Sequence, residues 1–475
     1  MIDWGKRGKV NKKKTRGKNE VQRGLASNLF INSINKFTTD KNLNFFLKLI
    51  PIILVLIFYF FYPKPVGLEQ AGWTAIAIFL ITIYVWATEL VHLSVAALIT
   101  IFLLLLTGAV TPLTALYGFG STSFFLIFIG FMVAIGMEAA GLDERIANEI
   151  LKYCHTERSV ILGIMIITAM LSMIMSNTTT VIMMIPIIRH MIAKTDMNKI
   201  AIFLSIAFSA NVGGVGFLIG TPPNLLAANA LGLGFTDWLV FGFPFMLIML
   251  LLLYISFLIY FKPKHKIEKV TLDHLGFWSS KEKFAAVVVG LTVLLWLTSS
   301  WHGLSTLTVG LIGGLLMALF IYDWKFFTKK ADWGVLIILA GAISIGKALE
   351  VTGAAQWMAE RFLEMTGFES IWLIAFSFAI LGLVITQFIQ NTATAGIMIP
   401  VLVGISATLG VSAEKLVLPL TMAVSMTFMM PPGTAPNLLV YTETGISTKE
   451  FFKAGLLPTI LGIVVVLFFC LIIGG

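Results

Sequence analysis

At 475 residues, with 58% apolar and only 12% charged side chains and a mean hydropathy of +0.94, the chain is too apolar for a water-soluble fold, and apolar stretches of membrane-spanning length recur along it. The formal charge of +9 would suit a nucleic-acid partner if it were spread over a surface, but residues 1–48 hold twelve Lys or Arg against three Asp or Glu and so carry all of it. Two distant cysteines, Cys154 and Cys470, give no basis for a disulfide framework, a thiol metal site or redox chemistry.

The tail, residues 1–43, begins Lys6, Arg7, Lys9, Lys12-Lys13-Lys14, Arg16 and Lys18 and has no early apolar core. It reads as a cytoplasmic anchor for the first helix, able to meet anionic lipid, and not as a signal peptide. Hydropathy then predicts spans near 44–62, 71–88, 92–109, 119–137, 200–227, 238–261, 284–300, 304–322, 333–349, 414–442 and 452–473. Two further apolar stretches, 159–193 and 372–403, carry a polar motif at their midpoints and, at 35 and 32 residues, are long for one crossing. Each admits three readings: one tilted helix, two spans, or a re-entrant hairpin.

Charge placement favours hairpins. With the N-terminus inside, eleven crossings and two re-entrant hairpins put Arg145, Lys152, Arg158, Arg189, Lys194, Lys199, the Lys262-to-Lys283 linker, Lys325, Lys329, Lys330 and Lys449 on the inner side. The outer side receives little beyond the Arg361 region, and the C-terminus ends outside. The first hairpin then opens from the cytoplasm and the second from the outer face, as expected of inverted-topology repeats. The expected organisation is a first membrane half (44–261, with hairpin 159–193), a cytoplasmic linker (262–283) and a second half (284–475, with hairpin 372–403). The fold class is an all-α polytopic membrane protein with two re-entrant hairpins and two discontinuous helices.

Within each hairpin stands the same motif, Asn-Thr-x-Thr-x-x-x-Met-Ile-Pro, at Asn177–Pro186 and Asn391–Pro400. Each copy is followed by a second break, Gly220-Thr221-Pro222-Pro223-Asn224 and Gly433-Thr434-Ala435-Pro436-Asn437, the intervals from first to last Asn being 47 and 46 residues. Proline removes a backbone donor and disrupts the preceding turn, so the spans at 200–227 and 414–442 are expected to be discontinuous helices, each broken opposite a hairpin tip. A chain reversal frees carbonyls that can ligate a hard cation and exposes helix N-termini that can bind an anion.

Ser, Thr and Asn in membrane helices often serve only interhelical hydrogen bonds, and Gly often serves only close packing. The matched recurrence of both motifs weighs against that reading here. Glu89 and His92 read as interfacial, and Glu138, Asp143, Glu144 and Arg145 as marking the cytoplasmic end of the fourth span. Trp296, Trp301, Trp324 and Trp333 fit an aromatic belt, while the Phe and Met residues need only packing. The six histidines are scattered and no nucleophile or metal cluster is visible, so an enzyme is not expected; an ion channel lined by the breaks is a rival transport reading. No mid-membrane Asp or Glu accompanies the motifs, which favours sodium, held by neutral oxygens, over a proton as the coupling ion.

These motifs resemble those of the divalent anion/sodium symporter family over roughly residues 50–473. The resemblance implies sodium-coupled symport of C4-dicarboxylates such as succinate, malate and fumarate across the bacterial inner (plasma) membrane, by a homodimer whose transport domain moves elevator-fashion. It implies one sodium site at Ser172, Ser176, Asn177, Thr178 and Gly220, and a second at Thr386, Asn391 and Gly433. It places Asn177, Thr178, Asn391 and Thr392 on the substrate carboxylates, with Thr221, Pro222 and Thr434 beside them. Gln390 stands where the family's second signature has Ser, and Ala435 replaces the first Pro of the second loop. Those departures keep open sodium-independent dicarboxylate exchange, and citrate or sulfate remains an alternative substrate. The expected partners are the small anion, membrane lipid and a second copy of the chain, with no nucleic acid.

Overall fold

In a computed structural model, residues 48–192, 195–263, 276–368 and 370–474 are described. The basic tail and linker residues 264–275, His265 and His274 among them, lie outside the described residues. The first helix, Lys48–Phe61, belongs to a unit of its own, and its apolar side chains, Leu54 and Phe61 among them, are exposed as lipid-facing groups are.

The second unit, residues 63–475, is helical throughout its described elements. Gln70–Thr88, Leu93–Thr107 and Thr122–Ala140 lead to the first hairpin, whose arms are Glu157–Ile174 and Asn177–Ile192. A capping box starts it: Ser159 N donates to Thr156 Oγ1 at 3.1 Å and Thr156 N to Ser159 Oγ at 2.9 Å. The first broken span follows as Lys199–Gly216 and Pro222–Leu231, then Phe235–Phe261. Ser280–Leu297, Thr306–Phe320 and Trp333–Val351 precede the second hairpin, Ile371–Ile385 and Asn391–Leu409. The second broken span is Glu414–Val424 and Ala435–Thr444, with a 3-10 turn at Pro431–Gly433, and Thr448–Gly474 closes the chain.

Packing separates centre from periphery. Lys199–Gly216 is buried along nearly its whole length, whereas Phe235–Phe261 and Thr448–Gly474 leave most of their apolar surface outward, toward lipid. Both arms of the first hairpin pack on Lys199–Gly216, and both arms of the second on Glu414–Val424. The short second pieces cross over: Pro222–Leu231 packs on Asn391–Leu409, and Ala435–Thr444 on Asn177–Ile192. Phe208 fastens this centre, its ring 5.2 Å from that of Phe428 and 5.5 Å from that of Phe451.

Ion pairs bear on how the two long stretches run. Arg145 Nε donates to Glu282 Oε1 at 2.8 Å, and its other nitrogens reach Gly276 O at 2.7 Å and Phe277 O at 3.4 Å. Lys330 pairs with Glu138, and Arg189 with Glu443 at 2.6 Å. The first two pairs join residues before the first hairpin to residues after it, and the third joins residues on either side of the second. With all other elements crossing as expected, a hairpin that crossed would place paired charges on opposite faces of the bilayer. Re-entrant hairpins leave the partners of all three pairs on one face, so the pairs fit that arrangement.

Several expectations change in detail. Pro222 and Pro223 stand at the start of a new helix, where a missing N–H costs little, and the break lies just before them at 217–221. Trp296 is no belt residue: it is 1% exposed and donates its indole N–H to Thr306 O at 3.0 Å. Leu142–Leu151 and the amphipathic Ala354–Thr366 are helices that lie between the spans hydropathy predicts. Asp143 and Arg145, expected to mark the end of the fourth span, follow the helix Thr122–Ala140 directly and are buried.

Burial pushes the Asp143 carboxyl up from the ordinary 3.8 to about 6, opposed by a hydrogen bond from Glu144 N and aided by Glu138. A raised folded value favours the protonated form, so Asp143 contributes stability below 3.8 that is lost as pH rises through about 6. Asp143→Asn is expected to raise the melting temperature by roughly 2–4 °C at about pH 8 and to leave it unchanged in acid. Thermal unfolding of parent and variant across that range checks it; an equal shift at every pH would refute the assignment.

Candidate functional site

The tip of the first hairpin is Met175-Ser176, where the helix stops and Asn177 starts the second arm. Ser176 Oγ accepts from Thr179 N at 3.2 Å and so caps that arm. Behind the tip, Ser172 Oγ lies 2.6 Å from Asn177 Oδ1 and 2.8 Å from Ala210 O. One hydroxyl proton is shared between two acceptors, and three neutral oxygens converge in a buried place. Gly214 passes against the Asn177 carboxamide and Gly220 against the Gly214 carbonyl, each at a distance only a hydrogen side chain allows.

The second half repeats this geometry. Thr386 Oγ1 lies 3.0 Å from Val424 O and 3.2 Å from Thr427 Oγ1, and Thr427 Oγ1 lies 3.1 Å from Val424 O. Ser172 and Ala210 are 38 residues apart, as are Thr386 and Val424. Asn224 Nδ2 donates to Gly214 O at 2.9 Å and Phe217 O at 2.8 Å; Asn437 Nδ2 donates to Thr427 O at 2.8 Å and Met430 O at 3.2 Å. Each Asn thus closes its break with the same two reaches, ten and seven residues back. Gly433 is packed against Thr427 and the carbonyls of Thr386 and Gln387, as Gly220 is against Gly214.

The tips and breaks line one cavity of about 160 Å³. Ser176, Asn177 and Thr178 face Gln390, Asn391 and Thr392 across it, with Gly220, Thr221, Pro222, Thr434, Ala435 and Pro436 from the two breaks. Ile127, Gly130 and Phe131 form an apolar wall. Ser172, Thr386 and Gly433 do not reach this cavity and lie buried behind it. The helices beginning at Pro222 and Ala435 start at its edge, where free amides favour negative charge. Among the described residues no Lys or Arg lines it.

The two tip asparagines differ. Asn177 Oδ1 belongs to the first oxygen cluster, whereas Asn391 Oδ1 accepts from Thr392 N at 2.8 Å and makes no hydrogen bond to the Thr386 cluster. Both leave an amide nitrogen for the cavity. Gln390 precedes Asn391 without capping its arm, unlike Ser176 in the first hairpin.

Sequence reasoning misses three features. Asp332, the N-cap of Trp333–Val351, lines the cavity, so a carboxylate does accompany the motifs. Glu89 and His92, between two early helices, line an adjoining cavity. Asn211 Nδ2 donates to Asn437 Oδ1 at 3.0 Å and Thr427 O at 3.2 Å, tying one broken span to the other. Only the Asp residue type at the start of an apolar helix hints at the first.

The chain matches the model of the citrate transporter family over residues 83–424 and 304–475. An uncharacterized transporter of Haemophilus influenzae is 30% identical over 438 residues, which are 87% of this chain and 94% of that protein. The sodium-dependent dicarboxylate transporter SdcS of Staphylococcus aureus is 30% identical over 466 residues, 88% of each chain. Among solved structures, the Alcanivorax borkumensis YdaH transporter superposes with a TM-score of 0.54 at 12% identity, covering 74% of this chain and 86% of that one. Neisseria gonorrhoeae MtrF superposes with a TM-score of 0.52 at 13% identity, covering 83% and 97%. At those identities the two structures share the fold.

Proposed function

Because this chain belongs to the citrate transporter family, related to the divalent anion/sodium symporters, we propose that it carries C4-dicarboxylates (succinate, malate, fumarate) in symport with sodium. It is a multi-pass membrane transporter and not an enzyme. The observation that carries the reading is the pair of buried neutral-oxygen clusters, Ser172/Asn177/Ala210 and Thr386/Val424/Thr427, behind a cavity lined by amides and hydroxyls and by no described Lys or Arg. A dianion desolvated there needs positive charge, and two cations held by carbonyl, hydroxyl and carboxamide oxygens supply it. Sodium is the cargo, and the dicarboxylate is held from both tips by Asn177, Thr178, Asn391 and Thr392, with Thr221, Pro222 and Thr434 at the helix starts. Ser176, Gly220 and Gly433 shape the sodium sites, and Asn391 acts on the second through its backbone.

Coupling follows from mutual dependence. An anion in a cavity that no described Lys or Arg lines, and that Asp332 borders, is stable only when the cations are bound, and each cation is held better when the anion is present. The transport unit comprises the hairpins and broken spans, and it moves elevator-fashion against the helices around Thr122–Ala140, Thr306–Phe320 and Trp333–Val351. We place the N-terminus in the cytoplasm and the C-terminus outside the bacterial inner membrane, divide the halves at 262–283, and expect a homodimer.

Labelled succinate uptake into sealed proteoliposomes tests this. An inward sodium gradient is expected to drive accumulation into empty vesicles. Uptake only into dicarboxylate-preloaded vesicles, indifferent to sodium, would select exchange, and none with any divalent anion would end the substrate assignment.

A further inference from the structure

Beside the cavity between the tips lies a second one of about 280 Å³, and the two share Asp332, Val335 and Gln390. The two cavities therefore adjoin at those three residues. Asp332 and Val335 come from the start of Trp333–Val351, and Gln390 from the tip of the second hairpin. We infer that Asp332 and Gln390 form a charge-selective mouth that admits dicarboxylates and rejects carboxylates bearing a third charge. This rests on the function proposed above and names the feature that sets its substrate class.

The Asp332 carboxylate caps its helix. Its Oδ1 accepts from Val335 N at 3.1 Å, and Ser94 Oγ donates to Gly334 O at 3.2 Å, tying the start of Leu93–Thr107, and with it the preceding loop, to the same helix start. From that loop Glu89 and His92 face the second cavity. Glu89 ends its helix in the left-handed region, φ 46°, a conformation that side chains other than glycine seldom adopt. His92 Nδ1 accepts from Ser94 N at 3.4 Å. Two carboxylates and one imidazole therefore surround the passage, and no described Lys or Arg lines either cavity. Lys330, the nearest cation in the chain, pairs with Glu138.

Gln390 supplies the other jaw. Ser176, at the matching position, turns back to cap its own arm, but Gln390 makes no such bond and lines both cavities. The carboxylates of Asp332 and Glu89 repel any anion at the mouth, and a trianion more strongly than a dianion by one further unit of charge. At separations near the width of the mouth, one unit of charge changes passage by about two- to threefold in a watery medium, and by more where the passage is dry.

Two measurements test the mouth. Uptake of succinate and of fully ionised citrate is compared in parent, Asp332→Asn and Asp332→Glu. The citrate-to-succinate ratio is expected to rise about threefold or more in Asp332→Asn and to stay at the parent value in Asp332→Glu. The second needs no substrate: in a background with Cys154→Ser and Cys470→Ser, Gln390→Cys is modified by an anionic and by a cationic methanethiosulfonate. Adding Asp332→Asn is expected to raise the anionic-to-cationic rate ratio about fivefold. An unchanged reagent ratio overturns the mouth. A shifted reagent ratio in a protein whose parent carries no dicarboxylate upholds the mouth and removes the proposed function instead.

Discussion

Asn177→Ala and Asn391→Ala will each weaken saturable succinate uptake by about tenfold to a hundredfold, the loss expected when one hydrogen bond to a charged ligand is removed from a buried site. The two will differ in kind. Asn177 Oδ1 stands in the oxygen cluster with Ser172, so its loss removes a cation ligand as well as an amide facing the cavity. Asn177→Ala is therefore expected to raise both the sodium and the succinate half-saturation concentrations. Asn391 Oδ1 is committed to Thr392 N, so Asn391→Ala is expected to act mainly on succinate. Sodium titrations at fixed succinate, and the reverse, separate the cases, with thermal unfolding of purified protein reporting that each variant is folded. Cys154→Ser is the control, since Cys154 lies among helix ends away from the cavity. Two variants that bind succinate as the parent does would remove the site assignment.

The hairpins and breaks are legible in the sequence because membrane helices advertise interruption. Within an apolar run, Asn177-Thr178 or Pro222-Pro223 must find polar partners or end a helix, and duplication at matched spacing leaves little room for chance. The breaks prove one step earlier in the chain than the prolines suggest, since proline starts helices well and interrupts them badly. What depends on long-range packing is not legible. Asn211 in an apolar helix gives no sign of its partner Asn437, 226 residues on. Trp296 looks like a belt residue until Thr306 is folded against it. Asp332 reads as the solvated cap of a helix, and only the approach of the second hairpin turns its position into part of a cavity wall. Each miss is a residue whose local chemistry is ordinary and whose neighbours come from a distant segment.

Gly220→Ala and Gly433→Ala will each raise the sodium half-saturation concentration by about tenfold or more, since displacing a buried ligand oxygen by a few tenths of an ångström forfeits a large part of its contact with a hard cation. At both positions an added methyl group meets backbone that cannot swing aside. At Gly220 the obstacle is the Gly214 carbonyl, which Asn224 also holds; at Gly433 it is the carbonyls of Thr386 and Gln387 together with the Thr427 side chain. The strain therefore falls on the first oxygen cluster in one variant and on the second in the other, and the Hill coefficient for sodium should fall in both. Gly290, with open space where a methyl would go, supplies the comparison: Gly290→Ala adds helix propensity and should leave sodium dependence untouched. The readout is the sodium dependence of succinate-induced thermal stabilisation in detergent, which needs no gradient and no turnover. If Gly220→Ala and Gly433→Ala retain the parent's sodium titration while Asn177→Ala loses it, the cations bind elsewhere than behind the tips, and coupling must run through the cavity itself.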